Sequence, residues 1–364
     1  MPDFALRRDK LRSLVKKSGL HALLVTNFTN VSYLTGFTGD DSYLLLSQHG
    51  EVIISDPRYT EQLDDECPGL VQVIRRPPTK MSDAVSAVLK STGVQQVAIE
   101  AASMTVAFRD TLAAGLGDVQ LHSSNGLVEQ LREIKDKEEI DAIRAAIKCA
   151  QQAFGVIRAS LRPEQSEKQV ADELEYQIRL FGGKKTSFEP IIGVGPRGAL
   201  PHGRPSDKKV GEDDFILIDW GARMGGYISD LTRVLVTGKI SPKLERIYGV
   251  VLAAQLAAIA EIKPGAVMKD VDAAARGVIE KAGFGPKFGH SLGHGIGMEV
   301  HEAPRLAADQ DRPLRPGMVV TVEPGIYLPG WGGVRIEDDV LVTKSGHEVL
   351  SSTPKQLQDC IVTA

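Results

Sequence analysis

The segment Asp214-Phe-Ile-Leu-Ile-Asp-Trp-Gly-Ala-Arg-Met-Gly-Gly-Tyr-Ile-Ser-Asp-Leu-Thr-Arg-Val-Leu-Val236 reads as a β-hairpin. Phe215 to Ile218 is an apolar run that ends in Asp219. Gly225-Gly226 punctuates a turn, and Tyr227 to Val236 supplies the return strand. With the turn centred on Met224-Gly225, Asp219 falls directly opposite Asp230. Opposed residues project from one face with Cβ atoms roughly 5 Å apart. Two carboxylates held so close repel, and one takes up a proton unless a cation sits between them. A one-residue shift of the turn makes the pair diagonal, still within reach of one cation.

The design recurs near the C-terminus. Met318-Val-Val-Thr-Val-Glu323 is a strand ending in a carboxylate, Pro329-Gly-Trp-Gly-Gly333 is a turn, and Val334-Arg-Ile-Glu337 begins the return. Centring that loop on Gly330 sets Glu323 opposite Glu337. Two matching hairpins suggest an internal duplication, and packing about a pseudo-twofold axis would bring four carboxylates together. A lone Asp at a strand end is ordinarily a turn residue, and a lone Glu beside Arg a surface pair. Four carboxylates at matching places in two hairpins outweigh that reading.

Three of the eight histidines fall in Gly289-His-Ser-Leu-Gly-His-Gly-Ile-Gly-Met-Glu-Val-His301. The glycines at 289, 293, 295 and 297 exclude a regular helix and let backbone approach a ligand closely. His202 lies in Gly198-Ala-Leu-Pro-His-Gly203. His290 taken alone fits a backbone-bonded loop histidine as well as it fits a functional one. Four carboxylates and one imidazole make an oxygen-rich donor set suited to Mn²⁺, Co²⁺ or Zn²⁺, unlike a thiolate zinc cage. Two divalent cations would balance the four negative charges.

Working outward, the first third alternates helices and strands. Leu6 to Ser18 is amphipathic, with Leu6, Leu11, Leu14 and Val15 on one side. His21–Thr26, Ser42–Ser47, Val52–Ser55 and Val97–Glu100 read as strands, and Ser82–Lys90 as a helix. Residues 126–137 are dense in charge, so the boundary is set there: an α/β domain over 1–127, a linker over 128–136 and an α+β domain over 137–364. The second domain's expected helices are Lys137–Ser160, Ser166–Leu180, Ser241–Ile262 and Met268–Ala282. Ser166-Glu-Lys-Gln169 forms a capping box and Gly182-Gly183 a stop.

Composition removes whole classes of function. The 364 residues carry 43 Lys+Arg against 47 Asp+Glu, a net charge of −4, without the basic excess of a nucleic-acid binder. Cys67, Cys149 and Cys360 are too few and too scattered for a disulfide framework. The N-terminus shows no apolar signal core, and no run reaches the roughly 18 apolar residues of a membrane span. The expectation is a cytoplasmic protein, with the sequons at Asn27 and Asn30 as chance matches.

These motifs resemble the metal-binding signature of the pita-bread-fold metallopeptidases, and among them the Xaa-Pro aminopeptidases and Xaa-Pro dipeptidases (prolidases). The family pattern stands here as Asp219-Trp-Gly221, Asp230-Leu-Thr-Arg233, His294-Gly-Ile-Gly297, Glu323-Pro-Gly325 and Arg335-Ile-Glu337. Asn30-Val-Ser-Tyr-Leu-Thr-Gly-Phe37 resembles the creatinase-like N-terminal domain of the same enzymes. The resemblance implies that Asp219, Asp230, His294, Glu323 and Glu337 bind two divalent ions. In it, Asp230 and Glu337 bridge both ions, Asp219 chelates one, and His294 and Glu323 complete the other. It also implies that Glu323 handles the proton, that His202 and His301 serve substrate and oxyanion, that His290 is a further pocket histidine, and that Arg335 and Tyr327 support the ligands. A homodimer follows from the same likeness, and the 31–37 stretch fits either an interface or a core.

The implied activity is hydrolysis of the bond preceding proline, with release of the N-terminal residue (Xaa-Pro aminopeptidase); the alternative is the dipeptidase. A metal-free creatinase-like hydrolase or a silent binding protein is disfavoured by retention of all five ligand positions, and methionine aminopeptidase by the large N-terminal domain. Gly289-His-Ser-Leu-Gly293, with Asp338 and His347, spells a serine-hydrolase elbow but lacks the required strand before and helix after. Gly193-Val-Gly-Pro-Arg-Gly198 matches a dinucleotide fingerprint in letters only, since Pro196 and Pro201 deny it a helix.

Overall fold

The computed structural model describes residues 2–362. The chain divides into two compact units between Arg132 and Glu133. The first carries α1 (Phe4–Lys17), β1 (Ala22–Val25), α2 (Phe28–Thr35), β2 (Tyr43–Ser47), β3 (Gly50–Ser55) and α3 (Thr60–Glu66). It continues with β4 (Val71–Ile74), α4 (Met81–Thr92), β5 (Gln96–Glu100), α5 (Val106–Leu116), β6 (Gln120–Ser124) and α6 (Glu129–Arg132). Its mixed six-stranded sheet runs β4-β3-β2-β1-β5-β6.

Burial in α1 differs from the expected stripe. Arg7, Leu11 and Val15 face inward, while Leu6 is 48% exposed. Arg7 is tolerated inside because it donates to the Tyr33 carbonyl and lies over the Tyr33 ring. The 31–37 stretch is core within its own unit: Val31, Tyr33, Leu34 and Phe37 are buried. Asn30, half of one sequon, is fully buried. The charges around the division are also buried, with Glu133 accepting from Arg312 and Arg315, and Lys135 paired with Glu302.

The second unit opens with α7 (Lys137–Ser160) and α8 (Glu167–Leu180), the latter capped as expected by Ser166 and Gln169. Next come β7 (Lys185–Thr186), β8 (Ile191–Val194), β9 (Phe215–Trp220), β10 (Ala222–Met224), β11 (Tyr227–Ile228) and β12 (Leu231–Val236). A second pair of helices, α9 (Pro242–Glu261) and α10 (Met268–Lys281), leads to β13 (Gly293–Gly295), β14 (Glu302–Leu306) and β15 (Val319–Val322). The chain then forms β16 (Gly325–Leu328), β17 (Gly332–Arg335), β18 (Asp338–Val342) and β19 (His347–Val349). Each half thus pairs two helices with antiparallel strands. Sheet orders are β12-β9-β8, β11-β10-β7, β14-β13-β15-β18-β19 and β16-β17.

Strand β9 is buried throughout because both of its faces are covered. Ile216, Ile218 and Trp220 join the core of α7 and α8, with Trp220 stacked on Phe154, whereas Phe215 and Leu217 join the core of α9 and α10. Strand alternation carries Asp219 onto the second face, at the end of that apolar row. The letters Gly193–Gly198 build no dinucleotide site: Gly195–Ala199 is a short 3₁₀ turn.

Candidate metal centre

The first hairpin corrects the expected register. Asp219 pairs with Thr232, and Met224 with Tyr227, so the two-residue turn is Gly225-Gly226. Both glycines have positive φ, 58° and 84°, as a type I′ turn demands, and a methionine at a central position would resist that. Asp230 is therefore the diagonal neighbour of Asp219, on the same face. The second hairpin has the expected register: Gly325 pairs with Arg335 and Val322 with Asp338, which sets Glu323 and Glu337 at matching heights between the two ladders.

A seam joins the hairpins. Thr232 and Glu337 form an antiparallel bridge in which the Glu337 N–H donates to the Thr232 carbonyl. The Thr232 hydroxyl donates to the Glu337 carboxylate at 2.6 Å, and the Asp230 N–H donates to Asp339 at 3.1 Å. Arg233 spans the same seam, donating to the Glu337 carbonyl and pairing with Asp338 at 2.7 Å. Thr232, Arg233 and Asp339 were not singled out from the sequence as seam residues. The period-two spacing of Asp230 and Thr232, and the acidic pair 338–339 inside an apolar run, were the available signals.

The motif glycines answer to close backbone approach. A Cβ on Gly221 would lie 1.8 Å from the Ser229 carbonyl oxygen, and one on Gly295 would lie 2.3 Å from that of Ala303. Gly221→Ala is expected to cost about 3 kcal/mol or more of stability. Thermal denaturation checks this, and an unchanged midpoint would refute the packing argument.

Asp219, Asp230, His294, Glu323 and Glu337 all line one cavity of about 710 Å³, with His202, His290, His301 and Arg335. Ligand atoms of Asp230, His294 and Glu337 lie within 4.8 Å of one another. His294 Nε2 stands 3.3 Å from Glu323 Oε1 and 3.7 Å from Asp230 Oδ2. Its Nδ1 faces the Gly295 carbonyl at 3.1 Å, which fixes the ring and turns Nε2 toward the carboxylates. Asp219 accepts from Arg335 through Oδ2, while its buried Oδ1 has no partner among the described residues. Arg335 also donates to Thr232 Oγ1 and, at 2.8 Å, to the Tyr327 hydroxyl. The hydroxyl lies 2.9 Å from His290 Nε2, whose Nδ1 faces the Ser291 carbonyl. His301 lies edge-on to His294, with ring centroids 4.4 Å apart.

Burial, then the Glu337 and Asp219 charges, holds the Asp230 carboxyl well above the ordinary range. Burial, then Glu323 and Asp219, does the same for Glu337. Burial also raises Asp219, against the pull of Arg335. Glu323 goes the other way: burial pushes it up, but the hydrogen bond and charge of His294 outweigh this and leave it lowered. Burial lowers His290 and His301, so both rings favour the neutral form. Burial pushes Tyr327 up to about 12, so its O–H stays available to donate to His290. Crowded carboxylates under mutual strain, an unpartnered buried oxygen on Asp219 and an imidazole aimed among them form a donor set that fits divalent cations.

No serine-hydrolase triad forms. Ser291 sits between a 3₁₀ turn (Gly285–Lys287) and a strand, Asp338 is taken by Arg233 and Lys355, and His347 bonds the Ile262 carbonyl. Ser291→Ala is expected to leave kcat/KM almost unchanged. A loss on the roughly 10⁶-fold scale of nucleophile removal would restore the esterase reading.

Comparison with known proteins agrees with this architecture. Residues 141–344 match the model of metallopeptidase family M24, and residues 7–134 match the Creatinase/Prolidase N-terminal domain. The structure of an Xaa-Pro dipeptidase from Bacillus anthracis superposes with a TM-score of 0.95 at 40% identity, covering 99% of this chain and 100% of that one. The X-Pro aminopeptidase from Thermotoga maritima MSB8 gives a TM-score of 0.87 at 36% identity, covering 95% and 98%. An Xaa-Pro dipeptidase of Pyrococcus horikoshii is 35% identical over 97% of this chain and 99% of its own length. The carboxylate-bearing hairpins and their glycines thus lie in a chain that belongs to metallopeptidase family M24, a metallo-exopeptidase of the pita-bread fold with a Creatinase/Prolidase N-terminal domain.

Proposed function

We propose that this chain hydrolyses the peptide bond preceding proline, with Asp219, Asp230, His294, Glu323 and Glu337 holding two divalent ions (Mn²⁺, Co²⁺ or Zn²⁺). The observation that carries this reading is the seam at Thr232–Glu337, which draws the carboxylates of two separate hairpins into one cavity with His294. Such ions, when bound, lower the pKa of water toward neutrality and polarise a carbonyl. Glu323 accepts the proton of the attacking water and passes it to the leaving nitrogen; in the metal-free site the His294 contact already favours its ionised form. His301 and His202 supply N–H donors to the carbonyl oxygen and the substrate. Arg335 and Thr232 hold Asp219 and Glu337 in place and take no part in proton transfer.

An X-Pro amide has no N–H, so recognition must rest on shape. Phe188, Pro190, Ile191, Pro201 and Val300 give the cavity an apolar wall suited to a pyrrolidine ring. The sequence reading put the aminopeptidase first. The dipeptidases among the relatives at 35–40% identity support the prolidase alternative more strongly. Product analysis on Ala-Pro, Ala-Pro-Ala and Met-Ala tests this. The expected result is cleavage of Ala-Pro well above the tripeptide. Preference for the tripeptide would return the aminopeptidase, and no cleavage of any with metal supplied would favour a binding role.

A further inference from the structure

The loop between Val194 and Ser206 carries His202 into the cavity, and its sequence, with Gly195, Gly198, Gly203 and three prolines, forms only a short 3₁₀ turn at Gly195–Ala199 and no longer element. Glu167, the first residue of α8, is fully buried beneath it. One carboxylate oxygen accepts from the Val194 N–H at 2.8 Å. The other accepts from Arg197 Nε at 2.7 Å, from the Ser206 N–H at 2.8 Å and from the Ser206 hydroxyl at 2.6 Å. Arg197 in turn donates to the Arg204 carbonyl at 2.5 Å. A single carboxylate therefore closes both ends of the loop and, through Arg197, grips its middle. On the opposite side Gly198 abuts the backbone of Gly333. Four charge-assisted hydrogen bonds to one fully buried carboxylate form a rigid anchor, and losing their acceptor would leave several buried donors unpaired.

We propose that Glu167 is a positioning residue for the reaction: it staples the 194–206 loop so that His202 stands over the cavity, without itself touching substrate or metal. The inference rests on the reading above that His202 holds the substrate. Glu167→Gln keeps the side chain's shape but places an N–H₂ where only donors face it. The expected result is a fall in kcat/KM for Ala-Pro of about 10²-fold, the scale of an ångström-level misplacement. Amide exchange across residues 195–206 should quicken, while Co²⁺ affinity and the visible spectrum of the Co²⁺-loaded protein stay unchanged. In a His202→Ala background the same change should cost less than about twofold more, because the two act as one unit. Should Glu167→Gln fail to fold, Arg197→Gln, at the partly exposed end of the network, is expected to show the same non-additivity and faster exchange.

Unchanged exchange in 195–206, or losses that multiply in the double variant, would overturn the inference. An altered Co²⁺ spectrum would overturn it too, by showing that Glu167 acts on the metal ligands. If no X-Pro substrate is cleaved by the unmodified enzyme, the proposed function falls, while the exchange rates still decide whether Glu167 holds the loop.

Discussion

Stripping the enzyme of divalent metal with a chelator is expected to abolish hydrolysis of Ala-Pro, with activity restored by Mn²⁺ or Co²⁺. Burial, joined at Asp230 and Glu337 by the neighbouring carboxylates, holds the carboxyls of Asp219, Asp230 and Glu337 above their ordinary range, so the site without metal holds protons where the ions would sit. Metal can bind only as those protons leave, so loading should release protons, and its calorimetric heat should vary with the buffer's ionisation enthalpy. The direction for stability follows. In the metal-free protein these groups bind protons more tightly folded than unfolded. Their contribution is fully present below the ordinary carboxylate pKa of about 4, and it is lost as pH rises through the raised values. Metal should therefore raise the melting temperature more at pH 8 than at pH 5. The stabilisation reaches about 2.7 kcal/mol once free metal is 100 times its dissociation constant. Full activity in verified metal-free protein would end the peptidase proposal.

Glu323→Gln is expected to lower turnover by at least ~10²-fold. In the metal-free site Glu323 is the one carboxylate of the cluster whose environment favours ionisation, because His294 Nε2 lies 3.3 Å from it; with His294 turned to an ion, the ion's charge would favour the same form. Glutamine keeps an oxygen for that contact and loses the ability to take a proton. Metal content measured on the same sample separates the two roles given to Glu323. A variant that keeps its metal and runs near the wild-type rate would remove Glu323 from the base role. One that loses metal assigns its effect to ligation.

Much of this site could be read from the chain in one dimension. The apolar run 215–218 ending in Asp219, its counterpart 318–322 ending in Glu323, and the glycines around His294 each name a local conformation. The capping box at Ser166 and the long helix 137–160 were legible for the same reason: their determinants lie within a few residues. The hairpin register was less so. Choosing between a turn at 224–225 and one at 225–226 depends on which residues accept positive φ, and the paired glycines decided it. In α1 the stripe was misread because Arg7 found its partner in Tyr33, 26 residues away.

Residue types and short-range spacing alone determined that this chain carries two carboxylate-bearing hairpins, a glycine-rich histidine segment and no basic excess. These follow from turn chemistry, strand alternation and charge, which act locally. Tertiary structure alone decided that the hairpins meet at Thr232–Glu337, that Arg233 and Asp339 lock the seam, and that Glu167 anchors the loop bearing His202. Those contacts join residues as much as 109 positions apart, and no local propensity encodes which distant donor will satisfy a buried carboxylate.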